Sequence, residues 1–370
     1  MTSSMKKLKV LHFVTGGFSG GATQVALGLV RAALDSDTCD ALLVLRKKSH
    51  ADRQRIQQLY DEGLPLVEVN NITHLTTIYE LMRVCERYQP DVLVAHGFSE
   101  HLWGRYAGLL ARVPTLVHVE HNTRERYTWW RLKQAHWLTR YTKVLVGCSE
   151  GVRQALLEKG FPEEKCIAIP NGIHLGPFQA EPRPWATRKN ELIMVSRIAK
   201  QKDHATLIRA IAILREQGLE LPLKLVGKGK AKLTQSLQRL SHELGVDDLV
   251  DFMGFSSEVP RLLSETKYFV QCTHYEGMPL TLLEAMAAGC AVIGSAVPGV
   301  QEVIAHQDTG LLHEHANAEA LAAQLKSVMS DDATAEAMGQ RARTQAFAEH
   351  SKELMHQRYE ELFLNISADR

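Results

Sequence analysis

The chain has 370 residues, of which 45% are hydrophobic and 23% are charged, and its formal net charge is +1. This length exceeds one typical hydrophobic core and predicts two domains, and the near-zero charge disfavours nucleic acid as a partner. The six cysteines are scattered without a C-x-x-C pair, and no stretch is long and apolar enough to cross a bilayer, so we expect a cytoplasmic protein without a disulfide framework or a metal site.

The first half of the sequence alternates short apolar runs with helical patterns. The run Val10–Val14 is too short for the apolar part of a signal peptide and is predicted to be a strand. A glycine loop ending in Gly20 and Gly21 follows, serving either a tight turn or a close approach to a ligand. It lacks the G-x-G-x-x-G pattern, which disfavours a nicotinamide cofactor. The next predicted elements are helices over 22–34, 51–62, 78–88, 101–111 and 150–159, and strands over 41–45, 66–69, 92–96, 115–120 and 144–149.

Strands that alternate with helices predict a parallel, doubly wound α/β sheet, in which catalytic groups lie just beyond the carboxyl ends of strands. His96 and His121 both hold such positions. His121, at the exit of its strand, is the candidate site residue, with an ordinary core or loop histidine as the alternative; His96 is interpreted as the latter. His118 and His121 alternate along a strand, so their H-x-x-H spacing does not predict a helical zinc site.

The segment 124–143 is rich in aromatic and basic residues. Trp129, Trp130, Trp137 and Tyr141 would share one side of a helix. The basic residues are Arg124, Arg126, Arg131, Lys133, Arg140 and Lys143, against the single acid Glu125. Two interpretations stay open: an aromatic stripe buried in the core, or an interfacial helix that contacts an anionic membrane.

The second half repeats the alternation of strands and helices. Pro170-Asn-Gly-Ile173 predicts a turn, and the proline-containing segment 176–189 predicts an interdomain linker. The predicted strands are 191–195, 223–226, 250–253, 268–272 and 291–295, and the predicted helices are 204–217, 231–244, 259–264 and, at the end, 352–365.

One stretch of this half, Thr273–Gly289, predicts a binding site for a nucleotide-sugar. It reads as a loop after a strand, with Pro279 at a favoured helix start, followed by strong helix formers. A helix N-terminus offers free N–H donors to a phosphate. Glu276 in the loop and Glu284 in the helix stand on either side of it, where each carboxylate would accept hydrogen bonds from the hydroxyls of one sugar. The alternative is an ordinary amphipathic helix with two solvated glutamates.

Arg197 and Lys202 follow another predicted strand and are the candidate catalytic cations. Departure of a nucleoside diphosphate builds negative charge on its oxygens, and preplaced cations lower that barrier. Arginine offers a forked contact and lysine a compact point charge. Solvated surface charge is the alternative.

The motif E-G-M-P-L-T-L-L-E-A-M-A-A-G, with seven residues between Glu276 and Glu284, resembles the E-x7-E pattern of the family-4 retaining glycosyltransferases. The R-x4-K spacing of Arg197 and Lys202 and the P-N-G-I sequence resemble the same family. The resemblance implies the GT-B fold, with two Rossmann-like domains facing a central cleft. It implies an acceptor-binding domain over 1–175, a donor-binding domain over 190–350, and a helix over 351–370 that crosses back to the first.

The resemblance also implies roles for individual residues. His121 contacts the donor hexose, and Arg197, Lys202 and Glu276 join it as the catalytic set. The implied donor-binding residues are Gly20, Gly21, Gly227, Gly254, Phe255, Gly277, Met278, Pro279, Leu280, Thr281 and Glu284.

The resulting expectation is a retaining hexosyltransferase that needs no metal and no cofactor. Its donor is a nucleotide-sugar, UDP being commoner in the family than GDP. Its acceptor is a hydroxyl of a glycan or lipid-linked molecule in bacterial polysaccharide or lipopolysaccharide synthesis, with contact to the inner face of the cytoplasmic membrane through 124–143. The alternatives are an epimerase or phosphorylase of the same fold, or a nucleotide-sugar-binding protein without activity.

Overall fold

The structure of the protein is a computed structural model that describes residues 6–15, 17, 20–47, 53–124 and 127–368. The strands are β1 (Leu8–Thr15), β2 (Cys39–Arg46), β3 (Leu66–Val69), β4 (Val92–His96), β5 (Thr115–Glu120), β6 (Val144–Gly147), β7 (Cys166–Ala168), β8 (Lys189–Val195), β9 (Leu223–Val226), β10 (Val250–Gly254), β11 (Thr266–Gln271), β12 (Ala291–Ser295) and β13 (Leu311–His313). The helices are α1 (Gly21–Leu34), α2 (Arg53–Asp61), α3 (His74–Tyr88), α4 (Phe98–Leu110), α5 (Trp129–Thr139), α6 (Glu150–Glu158), α7 (His204–Glu216), α8 (Ala231–Glu243), α9 (Val259–Glu265), α10 (Leu280–Ala287), α11 (Pro298–Gln301), α12 (Ala318–Met329), α13 (Asp332–Glu349) and α14 (Lys352–Ala368). Short 3₁₀ helices lie at Glu163–Lys165, Gly176–Phe178, Trp185–Thr187 and Lys200–Lys202.

The chain divides into two compact units. The first unit is Met1–Asn171 with Glu353–Arg370, and the second unit is Gly172–Lys352. The first holds a seven-stranded sheet in the order β3-β2-β1-β4-β5-β6-β7, and the second a six-stranded sheet in the order β10-β9-β8-β11-β12-β13. Neighbouring strands run parallel in both sheets, so the predicted doubly wound α/β fold is confirmed.

Helices cover both faces of the first sheet. Val92 and Val94 of β4 join a core cluster with Tyr359 and Phe363 of α14. Leu93 of the same strand joins a second cluster with residues of α3 and α4 on the other face. Alternate residues of a strand point to opposite faces, so a strand covered on both reads as one continuous apolar run. α14 therefore completes the core of the first unit.

The segment predicted as a linker, 176–189, packs on the second unit. Phe178 and Trp185 are buried, and the Trp185 ring lies edge-on to Tyr268 of β11 with ring centroids 6.1 Å apart. The Arg188 guanidinium donates hydrogen bonds to the backbone oxygens of Ala288 and Gly289, at 2.8 and 3.1 Å. With two buried aromatic rings and an anchored guanidinium, this segment is part of the packed core of the second unit and is not a flexible linker.

The predicted turn at 170–173 is wrong. The Ile173 N–H donates to the His350 oxygen, and the Lys352 N–H donates to the Ile173 oxygen, each at 2.8 Å, so the chain runs extended beside 350–352. A Cβ on Gly172 would stand 2.2 Å from the Ser351 oxygen. Glycine is needed here because two backbones approach closely, which sequence alone does not distinguish from a turn.

Candidate active site

The catalytic cations and acids predicted in the second unit follow two neighbouring strands, β8 and β11. Both strands are parallel and paired through Leu192 and Tyr268, so their carboxyl ends meet at one edge of the sheet. The 3₁₀ helix Lys200–Lys202 follows β8, and the loop 272–279 follows β11. The Lys202 ammonium donates to the Glu276 carboxylate, so the structure brings these two predicted site residues into direct contact.

Hydrogen bonds from backbone and side-chain groups hold these two loops together. The Gln201 side chain donates to the Tyr275 oxygen and the His274 N–H donates to the Gln201 oxygen, both at 2.8 Å. The Thr273 hydroxyl lies 3.3 Å from the Glu276 carboxylate, and the Thr273 N–H donates to the Ser295 hydroxyl at the end of β12. The loop carrying Glu276 is thereby held from both sides.

The Lys202–Glu276 pair is largely shielded from water, with side-chain exposures of 13% and 10%. Removing two charges from water is costly, and their mutual attraction offsets that cost only while both are present. Arg197 differs: its side chain is exposed and makes no hydrogen bond or ion pair with the described residues. The site therefore combines one neutralised pair with one cation that is available for an anionic ligand.

Gly227 and Gly254, predicted to line the nucleotide site, lie at the ends of β9 and β10. The Gly227 N–H donates to the Gly254 oxygen at 2.7 Å, and both have positive φ, 141° and 71°. A Cβ on Gly227 would stand 1.9 Å from the Ser196 oxygen. Position 227 therefore requires glycine because its backbone packs closely against the backbone of Ser196, the residue before Arg197. Beside it Phe255 is 69% exposed, with the Lys228 ammonium 5.6 Å from its ring centre.

α10 begins at Leu280, so Pro279 is the residue before the helix and not its first helical residue as predicted. Proline has no side-chain oxygen to cap the helix, and the N–H groups of Leu280 and Thr281 make no hydrogen bond within the described chain. Gly277 and Met278 are buried in the loop before it. The N-terminus of α10 is consequently an uncapped set of donors.

Glu284 lies one turn into α10 and is half-buried. Its carboxylate has no hydrogen bond or ion pair with any described residue. Burial raises the pKa of its carboxyl from 4.5 to about 7, because the charged form loses hydration without gaining a partner. Glu284 therefore exchanges a proton near neutral pH.

The remaining predicted site residues lie in the first unit. Gly20 precedes α1 in an extended conformation, and nothing lies within 4 Å of a Cβ built on Gly21. Gly16, in the same glycine loop, is outside the described residues. His121 follows β5, and its Nε2 lies 3.2 Å from Nδ1 of His96. Burial lowers the pKa of His121 to about 3, so the ring is neutral at pH 7.

Sequence reasoning missed two members of this histidine group. His96 was interpreted as an ordinary core histidine, and His12 was not considered; yet His12 Nδ1 lies 3.0 Å from His96 Nε2. β1, β4 and β5 are neighbours in the sheet. His12 lies in the middle of β1, His96 is the last residue of β4, and His121 directly follows β5. The grouping depends on strand order, which the local sequence pattern does not give.

Among the described residues of the aromatic segment 124–143, the helix α5 runs from Trp129 to Thr139, with Ala135 and Leu138 buried. Trp129 and Trp130 are 68% and 62% exposed, and Trp137 and Tyr141 are 41% and 49% exposed. The Lys133 ammonium lies 3.9 Å from the Trp129 ring centre. The interpretation as a buried core stripe is therefore wrong. Glu125 and Arg126 lie outside the described residues.

Two absences concern the described residues alone. No group of three or more His, Cys, Asp or Glu side chains in that part of the chain is arranged to hold a metal ion. No helix in the described ranges is both long and apolar enough to span a bilayer.

Two family profiles match the chain. One, described as Glycosyl transferases group 1, matches residues 177–345, and the other, described as Glycosyltransferase Family 4, matches residues 19–176. The chain is 32% identical over 178 residues to the N-acetyl-alpha-D-glucosaminyl L-malate synthase of Bacillus anthracis, a match that covers 48% of this chain and about half, 46%, of that relative. It is 24% identical over 336 residues to the UDP-Gal:alpha-D-GlcNAc-diphosphoundecaprenol alpha-1,3-galactosyltransferase of Escherichia coli, covering 85% of this chain and 86% of that one.

A solved structure shares the architecture. The crystal structure of Anabaena Alr3699/HepE in complex with UDP-glucose superposes with a TM-score of 0.85 at 21% identity, over 97% of this chain and 100% of that chain. At that identity the likeness establishes the fold, while the two profiles establish the family. The chain belongs to the family-4 glycosyltransferases, and its two Rossmann-like units have the GT-B fold.

Proposed function

We propose that the protein transfers a hexose from a UDP-sugar to a hydroxyl of a glycan or lipid-linked acceptor, with retention of anomeric configuration and without a metal ion or other cofactor. The assignment of a nucleotide-sugar donor rests on the arrangement of groups in the second unit. Arg197 is exposed, the N-terminus of α10 is uncapped, Glu276 lies before that helix, and Glu284 lies within it. The galactosyltransferase of Escherichia coli is named for a UDP-sugar donor, and the Anabaena structure holds UDP-glucose. Both support UDP as the nucleotide of the donor.

Each group has a distinct role in the proposed reaction. The N–H groups of Leu280 and Thr281 and the Arg197 guanidinium neutralise the diphosphate as it leaves. Lys202 is available to the same oxygens when the sugar hydroxyls take its place beside Glu276. In the proposed reaction neither glutamate attacks the sugar, because Glu276 is engaged by Lys202. Catalysis then rests on positioning and charge stabilisation.

The proposed acceptor is linked to a lipid, in the synthesis of a bacterial surface polysaccharide or lipopolysaccharide. The exposed tryptophans of α5 and the cations of 124–143 support contact with the anionic inner face of the cytoplasmic membrane. The galactosyltransferase is named for a diphosphoundecaprenol acceptor, whereas the malate synthase is named for a small soluble acid. The exposed aromatic side chains of α5 favour the lipid-linked class.

The direct test is transfer with UDP-hexoses and a polyprenyl-diphosphate sugar, run with and without a chelator. We expect transfer to persist in chelator, the product to keep the donor's anomeric configuration by proton NMR, and Arg197→Ala to lose most turnover. Arg239→Ala removes a similarly exposed arginine on α8 and is the matched control. Conversion of the donor to another sugar without any acceptor would identify an epimerase instead.

The base is tested separately by thermal shift with UDP, GDP and ADP. A ligand specific to the folded state raises the unfolding temperature by mass action. We expect UDP to give the largest rise, and a larger rise with GDP would overturn the assignment of the base.

A further inference from the structure

A buried histidine at the end of β13 is connected by hydrogen bonds to the loop that carries Glu276. His313 is paired with Ser295 across the parallel strands β12 and β13, so both side chains leave the same face of the sheet. His313 Nε2 lies 3.2 Å from the Ser295 hydroxyl, and the Thr273 N–H donates to that hydroxyl oxygen at 3.1 Å. The three residues are each at most 2% exposed and form a polar row inside the second unit.

The surroundings of His313 determine which of its ring nitrogens carries the proton. Nδ1 lies 2.8 Å from the backbone oxygen of Glu314. A carbonyl oxygen only accepts hydrogen bonds, so Nδ1 must be the N–H. Burial lowers the pKa of the ring below its ordinary value, so the ring is neutral at pH 7 and its Nε2 carries a lone pair. Nε2 of His313 is therefore an acceptor.

Each hydrogen bond of the row then has only one possible direction. The Ser295 O–H donates to His313 Nε2, and the Ser295 oxygen accepts from the Thr273 N–H. The Cys272 thiol also lies 3.9 Å from Nε2, but a thiol is a weak donor and the serine hydroxyl is closer. Because a serine hydroxyl has a single hydrogen, its donation to His313 leaves its lone pairs for the Thr273 N–H.

Thr273 is the residue at which this row meets the loop 272–279. Its hydroxyl lies near three acceptors, the Gln201 oxygen at 3.1 Å, the Tyr275 oxygen at 3.2 Å and the Glu276 carboxylate at 3.3 Å. One hydroxyl hydrogen is shared among these three groups, whereas the backbone N–H has Ser295 as its acceptor. The backbone at the start of the loop, three residues before Glu276, is consequently held through Ser295.

We propose that His313 is a positioning residue for the loop that carries Glu276. By accepting from the Ser295 hydroxyl, His313 orients the oxygen of that hydroxyl toward the Thr273 N–H. The loop is then held where the Glu276 carboxylate meets the hydroxyls of the donor sugar, a clause that rests on the proposed function. The hydrogen-bonded row itself is a property of the ligand-free protein. A histidine that only filled the core would make no use of an acceptor at Nε2.

The first experiment compares two substitutions of similar length at this position. The side-chain oxygen of His313→Gln can accept from Ser295, whereas the thioether of His313→Met is a weak acceptor. Calorimetry measures the binding of UDP, UDP-glucose and UDP-galactose to each variant. We expect the glutamine variant to bind all three as the wild type does. The methionine variant should bind the UDP-hexoses about fivefold more weakly and UDP unchanged, the effect of one weakened hydrogen bond at the sugar alone.

A purely structural role would not change the ratio of these affinities. An equal loss for UDP and the UDP-hexoses, no loss in the methionine variant, or the same loss in both variants would overturn the proposal. In a Ser295→Ala background the row is already interrupted, so adding His313→Met should weaken binding of the UDP-hexoses no further. A further loss in the double variant would show that His313 does not act through Ser295.

The second experiment is NMR of the ligand-free full chain. A long-range ¹H–¹⁵N spectrum of the protein labelled with ¹⁵N-histidine should show a protonated Nδ1 and an unprotonated Nε2 at His313, with the signals assigned from the His313→Gln variant. We expect the backbone amide proton of Thr273 to keep its chemical shift in the glutamine variant and to move upfield in the methionine variant, as its hydrogen bond weakens. A protonated Nε2 in the wild type would contradict the proposal.

The two experiments separate this inference from the proposed function. If the wild type binds neither UDP nor a UDP-hexose, the proposed donor is wrong, and the Thr273 amide signal still decides the role of His313. If that signal is the same in the glutamine and methionine variants, His313 only fills the core and the proposal is overturned.

Discussion

The backbone oxygen of Gly277 lies 2.1 Å from the point where a Cβ on Gly299 would stand, and the Glu276 oxygen lies 2.6 Å from it. Gly299, in the short helix α11, thus packs directly against the backbone of the loop that carries Glu276. No side chain fits there unless the loop moves. The position of the Glu276 carboxylate consequently depends on a glycine more than twenty residues away in sequence.

Gly299→Ala is expected to displace this loop, raising the donor KM and reducing turnover more than it reduces stability. Steady-state kinetics and urea unfolding measure the two effects. Gly108→Ala is the control, because its Cβ would stand 2.5 Å from Leu116 in the core of the first unit and should cost stability without moving the loop. Equal kinetic losses in both variants would show that the effect is only one of folding.

Single and double replacements of the Lys202–Glu276 pair should separate stability from catalysis. Removing the lysine leaves a buried carboxylate without its cation, and we expect Lys202→Ala to cost about 3 kcal/mol of unfolding free energy. Adding Glu276→Gln should recover most of that stability, because no buried charge is then left unpaired. It should recover no transfer activity, since the proposed roles of Lys202 and Glu276 are both lost. Arg31→Ala, which breaks the half-exposed pair with Glu62, should change stability little. Activity in the double variant would refute the proposed roles.

Glu284 should make the ligand-free protein less stable as the pH rises from 5 to 8. Its folded pKa of about 7 lies above the ordinary 4.5, so its contribution is fully present below 4.5 and is lost as the pH passes 7. Water still reaches this half-buried group, so we expect a loss of about 1–2 kcal/mol. Urea unfolding at both pH values should show the loss in the wild type and its absence in Glu284→Gln. Glu243→Gln, an exposed site, should behave as the wild type.

Trp129→Ala/Trp137→Ala should weaken sedimentation of the protein with anionic liposomes, because each exposed indole contributes apolar contact at headgroup depth. Raising the salt concentration should weaken it further through the cations of the same segment. Tyr60→Ala removes a 42% exposed ring from α2 and should leave binding unchanged. Binding that is insensitive to the tryptophans would exclude α5 as the membrane contact.

The bounds of β3, β4, β5, β9 and β12 agree with the prediction. In β4 and β12 every residue is buried, and a strand covered on both faces is easily predicted because it is one nearly continuous apolar run. α3 begins four residues earlier than predicted, since Thr73 and Thr76 form a capping box that extends the helix beyond its apolar pattern.

The candidate site is predicted only where its members lie close together in the sequence. Glu276, Glu284 and the α10 start fall within one motif, and Lys202 is placed by its spacing from a strand. The contact of Gly299 with Gly277, and that of His12 with His96, depend on which strands are neighbours in the sheet. Strand order follows from tertiary packing and is not written in local periodicity. The aromatic stripe of α5 shows the same limit, because its pattern does not say which face is buried.

α14 supplies Met355, Tyr359, Phe363 and Ile366 to the core of the first unit. A ribosome adding roughly 5–20 residues per second finishes Asn171 some ten to forty seconds before it reaches Glu353. Throughout that interval the valines of β4, β5 and β6 lack the side chains that α14 adds to their cluster. The first sheet is thus synthesised well before the helix that completes its core, and the second unit has time to fold first.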